Sequence, residues 1–159
     1  MQRRSILMLG SSFILGAALA FGGPSESSCS SEVVGSTTTA GDIFGVRVAV
    51  EGKTMVVGAP EHGNGAVYVF EFDGTDWIEV AQLTASDGEG GDEFGGDVAI
   101  CGNMIVVAAV QHGPGAVYVY QKPIAGWGSA TETAKLTASD SGANDNFGSS
   151  IAIDGTTIV

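Results

Sequence analysis

Positively charged residues are scarce in this chain. Six lysines and arginines stand against 18 aspartates and glutamates, and the formal net charge at pH 7 is −12. Because nucleic acids and anionic membrane surfaces repel so acidic a chain, we expect neither as a partner. Divalent cations and basic partners remain compatible with this charge.

The sequence also lacks a sustained helical period and any recognisable catalytic motif. No serine lies in a G-x-S-x-G elbow, and there is no HExxH, P-loop or dinucleotide fingerprint. We therefore predict that the chain is not an enzyme, although a catalytic region could lie in a part of a longer protein that this chain does not contain.

No apolar run reaches the roughly 20 residues that a membrane span needs. The longest, Ile6–Phe21, is interrupted by glycine and serine, follows Arg3-Arg4 and ends with small residues in an A-x-A arrangement. This pattern predicts a cleaved signal peptide at residues 1–20 and an exported protein, which would be extracellular, on the cell surface or periplasmic. The arginine pair leaves both the general and the twin-arginine export routes open.

A lead rich in serine, threonine and glycine follows at residues 21–40, with Val33-Val34 as its one candidate strand. Cys29 in this lead could carry a lipid anchor, which is the one membrane contact the sequence suggests. Glu26-Ser27-Ser28 precedes it where a lipobox has leucine and small residues, so we disfavour that interpretation. A disulfide between Cys29 and Cys101 also stays open, since two cysteines do not establish one.

The chain nearly repeats itself. Asp42-Ile43-Phe44-Gly45 returns as Asp92-Glu93-Phe94-Gly95 and again as Asp145-Asn146-Phe147-Gly148, at intervals of 50 and 53 residues. Such periods indicate units that bury their apolar faces against their neighbours. We assign the first unit to residues 41–91, the second to 92–144 and the start of a third to 145–159. Since at least three units usually make a stable array, we expect a part of a longer protein.

Alternating apolar and polar side chains predict four strands in each unit. In the first unit these are Val46–Val50, Thr54–Gly58, Ala66–Phe72 and Trp77–Ala85. In the second they are Asp97–Ile100, Met104–Ala109, Ala116–Gln121 and a strand ending near Thr137. Glycines at 52, 102 and 155 mark tight hairpins between the first two strands. Four short antiparallel strands in about 50 residues predict an all-β fold of β-propeller blades.

The same residues resemble a known family. Asp42-Ile43-Phe44-Gly45 followed by Val57-Gly58-Ala59-Pro60 is similar to the FG-GAP repeat of integrin alpha propellers and of many bacterial exported proteins. The second unit has Ala108-Ala109-Val110 at the corresponding place, without the flexible and φ-restricting residues of its tight exit turn. The resemblance implies a secreted or cell-surface scaffold for interaction or adhesion, with a protein or glycan ligand at the loops of one propeller face. Alternatives are the propeller part of an exported hydrolase and a calcium-binding repeat protein.

Calcium is the one cofactor that the sequence suggests. The family often binds it in a blade loop, but the loop Glu61–Val67 is too short and has one carboxylate. The acidic segment between the units offers four carboxylates as candidate ligands: Asp87, Glu89, Asp92 and Glu93. Asp residues are also favoured in solvated turns, and that interpretation stays beside the calcium one.

Histidines and aromatic residues recur in register as well. No cysteine, aspartate or third histidine recurs in the register of His62 and His112, so we interpret both as loop residues rather than zinc ligands or catalytic bases. Trp77 and Trp127 match in the same register, and the three extra residues of the second unit then lie between Trp127 and Leu136. We interpret these tryptophans and the three recurring phenylalanines as packing between blades rather than as a binding platform.

Overall fold

A computed structural model describes residues 32–140, 142 and 145–159. The predicted signal peptide and Cys29 lie outside these residues. The strands are β1 Val48–Glu51, β2 Thr54–Ala59, β3 Ala66–Phe72, β4 Trp77–Leu83, β5 Phe94–Cys101, β6 Met104–Ala109, β7 Ala116–Gln121, β8 Glu132–Leu136, β9 Ile153–Asp154 and β10 Thr157–Ile158, with a short 3-10 helix at Trp127–Ser129. In this part of the chain no helix is long and apolar enough to cross a membrane.

The strands form two antiparallel four-stranded sheets and one hairpin. The order is β1-β2-β3-β4 in the first sheet, blade 1, and β5-β6-β7-β8 in the second, blade 2. The β9–β10 hairpin begins a third unit, here called repeat 3 together with residues 145–152. The predicted all-β fold of four-stranded blades is confirmed.

Local turn chemistry determines the first hairpin of each unit. Glu51 pairs with Thr54, so Gly52 and Lys53 alone form the turn. Gly52, Gly102 and Gly155 all have φ of 57°, which a two-residue hairpin with glycine at its first central position requires. The predicted positions of these turns are therefore correct.

Several predicted strand bounds differ from those observed, such as β1, which is Val48–Glu51 rather than Val46–Val50, and β4, which ends at Leu83 rather than Ala85. Strand β5 begins at Phe94 rather than Asp97, because Phe94 pairs with Ala109 across an irregularity in the ladder. The predicted strand at Val33-Val34 is wrong, since residues 32–35 form no strand. Val33 instead packs against the apolar core of blade 1.

The central strands of blade 1 are buried on both faces. One face, with Val56, Val67 and Val69, belongs to a core cluster that also contains Phe94 and Ile105 of blade 2. Alternate residues form the opposite face, with Met55, Val57, Tyr68 and Phe70 packed around Phe44. Because both side-chain directions of β2 and β3 are buried, the blades are held by stacking as well as by strand pairing.

The exit turn of the second unit is retained despite its alanines. His112 donates its backbone N–H to Ala109 over 3.3 Å, as His62 does to Ala59 over 3.1 Å. These bonds are made by backbone atoms, so the turn forms without the glycine and proline of the first unit. Gly58 matters for another reason: a Cβ there would lie 2.2 Å from the carbonyl oxygen of Gly95 in blade 2.

Trp127 is not the structural equivalent of Trp77. Trp77 begins β4, whereas Trp127 begins the 3-10 helix and is 2% exposed in the core shared by the blades. Residues 123–129 replace the shorter turn at residues 73–76, so the three extra residues lie in the β7–β8 connection, before the paired strand that ends at Leu136. The predicted packing role holds for Trp127, although its predicted register is wrong.

Candidate functional site

The antiparallel order gives each blade two different ends. The hairpin end carries the β1–β2 and β3–β4 turns and their counterparts in blade 2. The loop end carries the β2–β3 loop at residues 60–65, the β6–β7 loop at residues 110–115, and the segments that enter each unit, at 36–46, 84–93 and, within the described residues, 137–140 and 145–147. Asn64 links two of these segments by donating its side-chain N–H to the carbonyl oxygen of Gly88 over 2.8 Å.

A polar network covers the loop end of blade 2. His112 Nδ1 lies 2.7 Å from Asp92 Oδ2, and Lys135 Nζ lies 2.7 Å from His112 Nε2. Lys135 also donates to Asp87 Oδ2 over 2.6 Å, and the Tyr118 hydroxyl donates to Asp87 Oδ1 over 2.7 Å. Since Lys135 donates to Nε2, His112 carries its own proton on Nδ1 and donates it to Asp92.

Blade 1 has the same network with two members replaced. His62 Nδ1 lies 2.7 Å from Asp42 Oδ2, and the hydroxyl groups of Thr37 and Tyr68 are 2.7 Å apart. Thr37 thus stands where Asp87 stands in blade 2. Gln82, whose side-chain N–H lies 3.4 Å from the Tyr68 hydroxyl, replaces Lys135.

Hydrogen bonding sets the charge of these carboxylates. Burial alone raises the pKa of Asp92, but hydrogen bonds from His112 and from the Glu89 backbone N–H outweigh it and leave that pKa below its ordinary value. The bonds from Lys135 and Tyr118 lower the pKa of Asp87 to about 2. Burial and the bond to Asp87 raise the pKa of the Tyr118 hydroxyl.

Sequence reasoning missed the partners of both histidines. Asp42 and Asp92 each lie well before the histidine they bind along the chain, and the antiparallel loops bring them together. The recurrence of Asp, His and Tyr at matching positions of the two units was the signal that could have identified this network. Each histidine lies in a loop and is held by an aspartate in both blades, and the absence of a catalytic or zinc-binding role stays a prediction.

The four candidate calcium ligands are not gathered around one point. Asp87 and Asp92 flank His112, with Asp87 Oδ2 3.7 Å from His112 Nε2. Glu89 contributes its backbone N–H to Asp92, and its side chain is exposed. Glu93 has φ of 56°, a left-handed conformation that Ile43 and Asn146 share at the same position of the other units. Among the described residues no group of three metal-binding side chains is placed to hold an ion, and calcium binding by this loop stays a prediction.

Asp87→Asn is expected to weaken the acid sensitivity of the fold. The folded-state pKa of Asp87 is depressed to about 2, so its stabilising effect is complete above the ordinary value of 3.8 and is lost as the pH falls from about 4 to about 2. The asparagine variant should be less stable at neutral pH and should lose less stability over that window. Thermal unfolding midpoints measured from pH 7 to 2 test this.

The control for that measurement is Glu89→Gln, which removes a carboxylate of the same loop whose side chain makes no hydrogen bond or ion pair with any described residue. Its unfolding midpoints should follow those of the parent chain. Parallel profiles for Asp87→Asn and the parent would contradict the role given to Asp87.

A comparison with protein families gives three matches along the chain. The model described as FG-GAP repeat matches residues 31–70, 77–120 and 130–159, which together cover most of the 159 residues. The second match runs from β4 of blade 1 to β7 of blade 2. One unit of the family therefore comprises the fourth strand of one blade and the first three strands of the next. No curated protein matches the chain significantly.

Proposed function

Because this chain belongs to the FG-GAP repeat family, we propose that it is an exported, non-catalytic propeller segment that binds a protein or glycan partner at the loop end of its blades. Loops held on a rigid sheet are the usual place for binding residues. The two blades present their loops at the same end, joined by the bond from Asn64 to Gly88.

The observation that carries the proposal is the charge of the loop end. Its five segments contain eight of the chain's 18 carboxylates and no lysine or arginine: Asp42, Glu61, Asp87, Glu89, Asp92, Glu93, Asp140 and Asp145. The ammonium group of Lys135 in β8 reaches this end and is paired with Asp87, so the carboxylates still outnumber the cations there. The hairpin-end turns contain Lys53, Lys122, Asp73 and Asp76, with Glu51 and Asp154 at the adjoining strand ends, so this end carries cations as well as carboxylates. A one-sided field of this kind favours and steers a partner with a basic contact surface.

The polar networks support a non-catalytic role. The two blades hold them with different residues, Thr37 or Asp87 and Gln82 or Lys135, while the contact between histidine and aspartate is kept at 2.7 Å in both. A network that stabilises loops needs only its hydrogen bonds satisfied, and residues of different types can satisfy them. Export is supported by the signal-like pattern of residues 1–20, which predicts a protein outside the cytoplasm.

The test of this function compares two charge reversals on the full chain. The probe is an immobilised decalysine peptide, with an uncharged glycan array beside it. Glu89→Lys combined with Glu93→Lys should weaken peptide binding about tenfold, and the binding should fall as salt is added. Asp76→Lys combined with Asp73→Lys makes the same charge change at the hairpin end and should have a much smaller effect. Equal loss in both double variants would contradict a loop-end site, and strong glycan binding that neither variant alters would place the partner elsewhere.

A further inference from the structure

The polar network at the loop end of blade 2 binds an ammonium group of the chain itself. Lys135 Nζ lies 2.6 Å from Asp87 Oδ2, 2.7 Å from His112 Nε2 and 5.3 Å from the centroid of the Tyr118 ring. A carboxylate, a neutral imidazole nitrogen and an aromatic face are three groups that bind a primary ammonium ion. Lys135 thus shows which kind of ligand this arrangement accepts.

Blade 1 repeats most of this arrangement with a glutamine in place of the lysine. Gln82 pairs across the strands with Tyr68, as Lys135 pairs with Tyr118. His62 lies against Tyr68 as its counterpart does in blade 2, with ring centroids 6.1 Å apart against 6.3 Å. The imidazole and the aromatic ring that surround an ammonium group in blade 2 therefore have the same geometry in blade 1.

His62 presents a ring nitrogen that accepts a hydrogen bond. Burial raises the pKa of Asp42, but hydrogen bonds from Thr39 and His62 outweigh it and leave that pKa below its ordinary value. The ionised Asp42 only accepts, and its Oδ2 lies 2.7 Å from His62 Nδ1, so the neutral ring carries its proton on Nδ1. The acceptor is then Nε2, which lies 3.4 Å from the Thr37 hydroxyl oxygen.

Gln82 is exposed and loosely held. Its Oε1 accepts from the Thr37 hydroxyl over 3.4 Å, and its Nε2 lies 3.4 Å from the Tyr68 hydroxyl. Bonds of this length are weak, so the side chain turns aside at little cost when a charged group approaches. The surroundings favour a cation: burial raises the pKa of the Tyr68 hydroxyl, and the negative charges of Glu79 and Asp42 raise it further.

We propose that blade 1 contains a binding site for the ammonium group of a lysine side chain of the partner, formed by His62 Nε2, the Thr37 hydroxyl and the Tyr68 ring. The bound group takes the position that Lys135 Nζ has in blade 2, and Gln82 moves out of it. The subsite rests on the proposed function, because it serves a basic partner at the loop end.

Imidazole nitrogen signals test the site directly, because the chain has two histidines, one in each network. Titration of the full chain with Nα-acetyl-lysine amide at about pH 8 should move the His62 Nε2 signal. His112 Nε2, already bonded to Lys135, should move much less. Nα-acetyl-norleucine amide, which lacks the ammonium group, should move neither signal. No shift at His62, equal shifts at both histidines, or the same shift with the uncharged amide would overturn the proposal.

Two substitutions should change the affinity for the lysine amide in opposite directions. Thr37→Asp supplies the carboxylate that Asp87 provides in blade 2 and should strengthen binding about tenfold. Gln82→Lys supplies an ammonium group from the chain itself and should weaken binding about tenfold by competition. Gln111→Glu and Gln111→Lys make the same charge changes in an exposed loop of blade 2 and should have much smaller effects. Equal effects at position 111 would mean that the general field of the loop end, and not this site, attracts the amide.

The decalysine measurement distinguishes a failure of this subsite from a failure of the proposed function. If decalysine binds at the loop end but the His62 signal does not respond to the lysine amide, the subsite is wrong and the proposed function stands. If the His62 signal responds as expected but decalysine does not bind at the loop end, the proposed function is wrong and the ammonium site stands.

Discussion

Replacing Gly65 by alanine should lower the free energy of unfolding by at least about 3 kcal/mol. Gly65 has φ of +88°, and a Cβ there would lie 2.4 Å from the carbonyl oxygen and 2.6 Å from the nitrogen of Phe94. These are backbone atoms of the next blade, joined to Gly65 by a parallel bridge. They cannot rotate away as a side chain would, so the blades must separate locally.

Gly63→Ala is the matched control for this substitution. Gly63 lies in the same loop with φ of +61°, but a Cβ there meets no atom within 4 Å. It should therefore incur only the cost of a left-handed alanine, about 1 kcal/mol. Urea denaturation followed by circular dichroism measures both variants. Equal losses would mean that backbone conformation, and not the approach of blade 2, is what requires glycine at position 65.

The sequence repeat predicts the backbone conformation of these two glycines but not the contact of Gly65 with the next blade. Both recur in the second unit as Gly113 and Gly115, so their sequence register predicts turns in both units correctly. Positive φ is a local property, which the residue type alone can indicate. The close approach of Phe94 to Gly65 depends on how one blade stacks on the next, and no pattern within a single unit contains that distance.

The candidate site likewise has features that the sequence predicts and contacts that it does not predict. The acidic character of the segment before Phe94 was visible in its composition, but Asp92 contacts His112 because the β6–β7 loop folds over the segment that enters blade 2. Trp127 illustrates the opposite error: the same residue type at the expected spacing predicted that it is equivalent to Trp77, but the β7–β8 connection is longer than the β3–β4 connection and moves Trp127 out of the strand. Register is therefore reliable in the paired strands and fails where a connection changes length.

The lead before the first repeated motif contains a segment whose equivalence to a later segment becomes clear only from its contacts. The Ser36 backbone N–H donates to Glu79 of β4, as the Ser86 N–H donates to Glu132 of β8. Residues 36–40 were assigned to the lead by composition, but they bind the fourth strand of blade 1 as residues 86–90 bind the fourth strand of blade 2. The sequence did not predict this equivalence, because the two segments make the same contacts but share little sequence.

Phe94→Ala should cost about 3–5 kcal/mol of stability, the range for a buried phenylalanine. Phe94 is fully buried, with its ring edge-on to Tyr118 at 5.5 Å and to Tyr120 at 6.2 Å between centroids. Its side chain belongs to the core shared by both blades, so the cavity left by alanine would weaken the stacking as well as blade 2 itself. A Phe94→Leu variant should lose less, because it refills most of the volume.

Phe147 provides the comparison, because it has the same motif position in repeat 3 and is only half-buried. The phenylalanine of the repeated motif is expected to stabilise the protein by filling the space between the third strand of its unit and the neighbouring blade. If so, Phe147→Ala should lower the free energy of unfolding by well under half as much as Phe94→Ala does. Urea unfolding midpoints of the two alanine variants and of Phe94→Leu give the ranking. Equal costs at both positions would mean that the phenylalanine stabilises the left-handed turn before it, at Glu93 and Asn146, rather than the blade interior.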